Sequence, residues 1–260
     1  MDNTQRVEIF WTGGFDSTYR IVELSSKEII VQPYYLVDNK YRRSLQYELD
    51  AISAITEDIA SHPETRFVLK PLVKVRVSDL PPDREISEAY KRVRKEIALG
   101  IQYEWLARFA LLHPGIELCL EKEEGGHIFN YFNTKGTIEE ISDREVSYII
   151  FDRDKSDKDL WAIFGNYHIP LPLREKTKLD LVGEYKKHGH EETMLKTWFC
   201  HTPVNNEPCG VCNPCKIVVK DGLSFRLLPL ALKRHTTEMK CGNKYYYKLW
   251  KKVRYRMAGY

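Results

Sequence analysis

Two groups of residues have the types and spacing to do chemistry. One is the run Thr12-Gly13-Gly14-Phe15-Asp16-Ser17-Thr18, directly after the first apolar segment; the other is Cys200, Cys209, Cys212 and Cys215. Adjacent glycines let the backbone turn tightly and present its N–H groups to an anion. Ser17 and Thr18 fall where a helix N-terminus adds partial positive charge and hydroxyl donors, so Thr12 to Thr18 reads as a cradle for phosphate or pyrophosphate. The run has no lysine of the G-x-x-x-x-G-K-[ST] kind and no G-x-G-x-x-G, which argues against a γ-phosphate loop and a dinucleotide turn. A plain strand–turn–helix connection capped by Asp16 or Ser17 is the alternative reading.

The cysteines follow C-x8-C-x2-C-x2-C. Four thiolates can surround one Zn²⁺ tetrahedrally, and Gly210 and Pro214 suit the tight turns between them. Such a closed site leaves no position for water, so its role is structural. An iron–sulfur cluster is the chemical rival. His201, beside Cys200, is not needed as a ligand. Cys119 reads as a packed thiol and Cys241 as a surface thiol.

The elements that position these groups follow from periodicity. Val7 to Trp11 is a short β-rich run ending at the glycines, and a helix is expected from Ser17 to Leu24. Ile29 to Val31 and Tyr34 to Val37 form a second strand whose middle Pro33 leaves uncertain. Leu45, Leu49, Ile52, Ile55 and Ile59 recur at helical spacing. Phe67 to Leu69 and Ile116 to Leu120 are further strands, with helix between residues 84 and 112 broken near Gly100. Residues 121–168 read as an insertion on the active edge of the sheet, with one strand at Val146 to Phe151. Lys176 to Lys187 is helical.

Alternating strands and helices predict an α/β fold with a mainly parallel, doubly wound sheet and a small C-terminal zinc-binding appendage. The expected division is 1–195 for the α/β domain and 196–260 for the cysteine segment and a basic helical tail. At 260 residues, 43% apolar and net charge +3, the chain can bury a core and is not disordered as a whole. No apolar run approaches the roughly 20 residues of a membrane span. Without a signal-like N-terminus, and with few cysteines, the expected compartment is the cytoplasm. After Glu238 there are seven positive charges and no acidic residue, which leaves a mildly acidic body. Lys244 to Arg256 interleaves cations with aromatics. Nucleic acid could bind there, but an amphipathic helix docked on the domain or on a homodimer partner is favoured.

The glycine run resembles the S-G-G-x-D-S signature of the PP-loop ATP pyrophosphatases, with Thr12 replacing the first serine and keeping its hydroxyl. Together with the cysteine spacing it resembles the 7-cyano-7-deazaguanine synthase (QueC) family. Pro170-Leu171 and Glu175-Lys176 are similar to that family's P-L-x-x-x-[DE]-K, and Thr177 to Lys187 and Thr197-Trp198-Phe199-Cys200 continue in register. Asp38, Arg42, Arg43 and Glu48 loosely match D-Y-G-Q-R-H-x-x-E, with two extra residues and no glycine. Two segments depart. Leu99-Gly100-Ile101-Gln102-Tyr103 stands where the family has P-G-R-N, and Glu121 to His127 replaces E-T-D and Y-P-D-C-R.

The resemblance implies an adenine nucleotide alpha hydrolase-like fold that binds ATP and Mg²⁺ and cleaves ATP between the α- and β-phosphates. Asp16, Ser17 and Lys176 are the implied catalytic residues. Thr12, Gly13, Gly14, Phe15, Asp16, Ser17, Thr18 and Asp38 are the implied nucleotide contacts. Taken without the resemblance, Lys176 is a solvated lysine, Asp38 a cap, His127 a loop residue, and Trp105 and Arg108 packing and surface. The implied reaction adenylates a carboxylate, 7-carboxy-7-deazaguanine, and passes it to nitrogen. Ammonia would give the nitrile of a queuosine-type pathway. An amine on a peptide, protein or small molecule would give a conjugate. Adenylation of a tRNA base and a zinc-stabilised nucleic-acid-binding module are the remaining alternatives.

Overall fold

The computed structural model describes residues 4–38, 43–121 and 126–241, except the side chains of 240 and 241. Arg42, residues 122–125, the Cys241 side chain and the basic aromatic tail lie outside the described residues. The chain divides into two compact units, with the boundary between Trp198 and Phe199.

The first unit begins β1 (Arg6–Phe10), α1 (Phe15–Ser25), β2 (Ile30–Val37), α2 (Leu45–Ser61), β3 (Val68–Leu69) and β4 (Val73–Arg76). It continues α3 (Arg84–Glu96), α4 (Gln102–Leu112), β5 (Ile116–Glu117), α5 (His127–Lys135), β6 (Ile138–Asp143) and β7 (Val146–Phe151). It closes with α6 (Lys158–Phe164), β8 (Tyr167–Pro170), α7 (Leu171–Glu175), α8 (Lys178–Lys187) and α9 (Glu191–Leu195). Local chemistry sets several helix starts. Asp83 caps α3 by accepting from Ile86 N–H at 2.8 Å, Asp157 caps α6, and Thr177 with Asp180 forms a capping box on α8.

The sheet is mixed but mostly parallel, in the order β3-β2-β1-β5-β8-β7-β6, with β4 also on β2. Pairing is parallel from β3 and β4 through β8, and antiparallel at β8–β7 and β7–β6. From β1 the chain moves outward one way to β2 and β3, then returns to add β5 and β8 on the other side. Right-handed crossovers therefore place α1 and α2 on one face and α3 and α4 on the other. Phe10, Leu36, Ile116, Leu118 and Ile169 belong to one apolar core with residues of α3, α4 and α6. The strand order reverses between β1 and β5, and a crevice opens at the strand C-termini at such a switch point.

Three features differ from the sequence expectation. Strand β2 runs unbroken through Pro33. Tyr34 C=O accepts from Trp11 N–H, and Val31 C=O accepts from Lys70 N–H, so odd-numbered residues of β2 face its outer neighbours. Pro33 falls where that neighbour changes from β3 to β4, and its missing N–H costs no ladder bond. Residues 121–168, expected to be an insertion, contribute β6 and β7 as a lateral continuation of the sheet itself. Helix α1 begins at Phe15, so Phe15 and Asp16 belong to its first turn rather than to the loop. Among the described residues, no helix is long and apolar enough to cross a membrane.

The second unit contains the cysteines, α10 (Asn213–Lys220) and α11 (Pro229–Cys241).

Candidate functional site

The Thr12–Gly14 turn leaves the C-terminal end of β1 and enters α1 with Gly14 as the N-cap. Gly13 has φ +69, and a Cβ there would lie 2.8 Å from Glu48 C=O and 3.1 Å from Ile52 Cγ1. Both conformation and closeness to α2 therefore demand glycine. Gly14 has φ −78, and a Cβ would stand 3.3 Å from Thr12 Oγ1. Gly13→Ala should cost roughly 1–3 kcal/mol in chemical denaturation. Gly14→Ala should cost about 1 kcal/mol or less. Equal losses at the two positions would contradict this account of the turn.

Thr12, Gly14, Phe15, Asp16 and Ser17 line a cavity of about 250 Å³. Its other walls are strand ends and the start of α4. Phe10, Tyr34 and Leu36 come from β1 and β2, Leu118, Cys119 and Leu120 follow β5, and Gln102, Tyr103, Trp105 and Leu106 belong to α4. The cavity thus lies at the switch point between β1 and β5. Asp16 is the only carboxylate among the described lining residues, and no lysine or arginine is among them. Burial, followed by the nearby Glu117 charge, pushes the Cys119 thiol well above its ordinary range, so it stays protonated near neutral pH.

The remaining candidates are dispersed. Thr18 is fully buried, and its Oγ1 accepts from Trp11 Nε1–H at 3.0 Å, so its hydroxyl is held inside the fold. Ser17 Oγ accepts from Thr12 N–H at 3.4 Å. Gly13 packs on α2 instead of lining the cavity. Asp38 directly follows Val37, the last residue of β2, and is not among the residues that line the cavity. Lys176 lies between α7 and α8, 3.7 Å from Glu184, and lines a separate cleft with Tyr19, Tyr185, His188 and His190. The structure does not bring Lys176 to the glycine-turn cavity.

Sequence reasoning missed most of the apolar wall; Trp105 is packed in the core as expected and also lines the cavity. The available signal was positional: residues at the ends of parallel strands, and in the first turns after Gly100, face a switch-point crevice.

The four cysteine Sγ atoms lie within 4.8 Å of one another. Separations are 3.4 Å for Cys212–Cys215, 3.8 Å for Cys200–Cys212 and 3.9 Å for Cys209–Cys215. A tetrahedron with metal–sulfur bonds of about 2.3 Å has edges of about 3.8 Å, so the set fits a single ion. Backbone N–H groups of Cys209, Val211 and Cys212 donate to Cys200 and Cys209 sulfurs at 3.2–3.3 Å, which favours thiolate. Hydrogen bonding inside the cluster pulls Cys209 and Cys212 below the free thiol range and pushes Cys200 and Cys215 above it. Binding a metal ion to such a set would release the remaining thiol protons.

Helix α11 holds the cysteine loop from behind. Arg234 donates to Cys209 C=O at 2.8 Å and to Pro208 C=O at 3.0 Å, and His235 Nδ1 lies 3.1 Å from Gly210 C=O. Gly210 has φ +79, and a Cβ there would fall 2.0 Å from Ala231 C=O.

No protein-family model matches the chain, and no curated protein matches its sequence. Fold and site together define an α/β protein with a mostly parallel mixed sheet, a cavity at its switch point, and a four-cysteine cluster that could hold a metal ion such as zinc.

Proposed function

We propose that this chain is a PP-loop-type ligase that forms AMP and pyrophosphate while joining an activated carboxylate to nitrogen. The observation that carries the proposal is the placement of the glycine turn. Thr12, Gly14, Asp16 and Ser17 line a switch-point cavity at the N-terminus of α1, where backbone donors and the helix dipole favour an anion.

In this reading a substrate carboxylate oxygen attacks the α-phosphorus of ATP. The bond from that phosphorus to the bridging oxygen breaks, and pyrophosphate leaves. A nitrogen nucleophile then attacks the acyl carbon, AMP departs with the C–O electron pair, and the nitrogen loses its proton to solvent. Activation is needed because a carboxylate oxygen is a poor leaving group and AMP a good one. The α1 N-terminus and the Thr12 and Ser17 hydroxyls would hold the departing pyrophosphate. With no cationic side chain among the described lining residues, charge neutralisation falls to the helix N-terminus and to Mg²⁺, which Asp16 would hold. Phe10, Tyr34, Tyr103 and Trp105 offer apolar walls to a flat heterocycle such as 7-carboxy-7-deazaguanine. Four thiolates around zinc leave no open position, so the metal supports folding.

Ammonia as the nitrogen nucleophile gives the nitrile after a second activation; a larger amine gives a conjugate. The conjugate is the second reading: Gln102 and Tyr103 of the cavity wall stand where the resembled family carries P-G-R-N.

Turnover with ATP, Mg²⁺ and the acid should release AMP and pyrophosphate. Asp16→Asn and Ser17→Ala should each lose about a hundredfold or more in turnover at unchanged melting temperature. ADP and phosphate as products would sink the assignment. Absence of both pyrophosphate release and binding with 7-carboxy-7-deazaguanine would remove that substrate and leave the ATP chemistry standing. Mass spectrometry of the product separates nitrile from conjugate.

A further inference from the structure

We infer that Glu8 is a positioning residue for the cavity, setting through Tyr34 how tightly its wall grips a flat ring joined to a phosphate. This rests on the anion-binding reading of the glycine turn proposed above.

Phe10 of β1 pairs with Tyr34 of β2, and side chains two residues apart on a strand share a face, so Glu8, Phe10, Tyr34 and Leu36 lie on one side of the sheet. Phe10, Tyr34 and Leu36 line the cavity, whereas Glu8 stands one pair back toward the start of β1 and is not among the lining residues. The Tyr34 hydroxyl reaches back and donates to Glu8 Oε1 at 3.2 Å. The other carboxylate oxygen, Oε2, lies 2.8 Å from His113 Nδ1. An ionised carboxylate only accepts, which places the His113 hydrogen on Nδ1. A phenylalanine at position 34 would complete the same wall by packing alone. The tyrosine adds an anchor at the far end of its ring.

The anchor is itself held. His113 follows Leu112, the last residue of α4, and its ring stacks on Phe109 with centroids 4.2 Å apart and planes 4° apart. The same imidazole meets the Tyr34 ring at 4.8 Å, and Phe109 meets Tyr34 at 5.1 Å. The first turns of α4 carry Gln102, Tyr103, Trp105 and Leu106, which form the opposite wall of the cavity. One carboxylate therefore ties the end of α4 to β1 and fixes the Tyr34 ring between them. A wall that is ordered before the ligand arrives binds it more tightly than one the ligand must order. Because Glu8 is absent from both the turn and the lining, its loss should leave the anion end of the cavity as it was.

The test uses the full-length chain and the variants Glu8→Ala, Glu8→Gln, Tyr34→Phe, and Glu8→Ala combined with Tyr34→Phe. Calorimetry measures binding of AMP, which has a ring as well as a phosphate, and of Mg²⁺–pyrophosphate, which has no ring. Glu8→Ala and Tyr34→Phe should each weaken AMP roughly three- to tenfold, as expected for loss of one hydrogen bond, and leave pyrophosphate unchanged. The double variant should lose no more than the worse single one, because both substitutions remove the same contact. Glu8→Gln keeps an acceptor for Tyr34 and should restore most of the affinity. The NMR resonance of Tyr34 Cζ, which reports what the hydroxyl donates to, should move in Glu8→Ala and stay near its wild-type position in Glu8→Gln. An unmoved resonance in Glu8→Ala would overturn the anchor. Equal weakening of AMP and pyrophosphate, or additive losses in the double variant, would overturn the action through Tyr34. If no form binds either ligand, the site reading fails and the grip on a ring fails with it, while the Tyr34 resonance still decides whether Glu8 holds the wall.

Discussion

Cys212→Ser should abolish binding of the single metal ion, such as zinc, that the intact cluster could hold, and should unfold the unit that begins at Phe199. Apart from the cysteines, that unit buries few apolar side chains among its described residues, chiefly Val218, Leu223, Leu227 and Ala231. So small a core does not sustain a fold of this size without a staple. Structural zinc contributes on the order of 10–16 kcal/mol of apparent free energy at pH 7, more than such a unit can lose and stay folded. Elemental analysis should show the metal gone, and calorimetry should show a low-temperature transition lost or shifted by more than about 10 °C. A brown wild-type protein with charge-transfer absorption would point to iron and sulfide, although the sulfur spacing suits one ion.

Arg20→Met should cost roughly 3–5 kcal/mol, because it strands a buried carboxylate. Arg20 lies in α1, almost fully buried, and its guanidinium clasps Glu117 of β5 through Nε at 2.8 Å and Nη2 at 2.5 Å, with Glu23 as a further partner. Burial pushes the Glu117 carboxyl above its ordinary range, against the pull of Arg20. Without Arg20 the carboxyl should rise further. A group with a raised folded pKa stabilises below its unfolded value of about 4.3 and loses that contribution as pH rises through the folded value. The variant's deficit should therefore be large at neutral pH and shrink toward pH 4. Arg20→Met combined with Glu117→Leu should recover most of the loss, since paired replacement by apolar groups is often neutral. A double variant as unstable as the single one would show that the pair does more than neutralise a buried charge.

The legible parts of this chain were those with local signatures. The glycine turn, the cysteine spacing and the helix break at Gly100 each follow from a few adjacent residues. Less was legible where partners decide. Strand β6, Ile-Glu-Glu-Ile-Ser-Asp, is mostly exposed at the edge of the sheet and carries no clear period-two pattern. Its strand identity comes from pairing with β7. Pro33 argued against a strand, and only the change of neighbour from β3 to β4 removes the objection. The role of Lys176 rests on register with a resembled family alone, whereas in the fold it joins α7 to α8 and lines the cleft beside Tyr19 and His190. Thr18 looked available in sequence, and the indole of Trp11 takes up its hydroxyl.

The central place of β1 has a consequence for synthesis. Strand β1 leaves the ribosome ahead of both its neighbours, β2 on one side and β5 on the other, and the buried clasp between α1 and β5 joins residues 97 apart. At 5–20 residues per second, roughly 5–20 seconds pass between emergence of β1 and of β5. During that interval one edge of β1 has no strand to bond, and Arg20 and the apolar face of α1 have no counterpart. The newborn chain therefore presents one unpaired edge of β1 throughout that interval, a window in which a chaperone that shields extended apolar segments would raise the yield of folded protein.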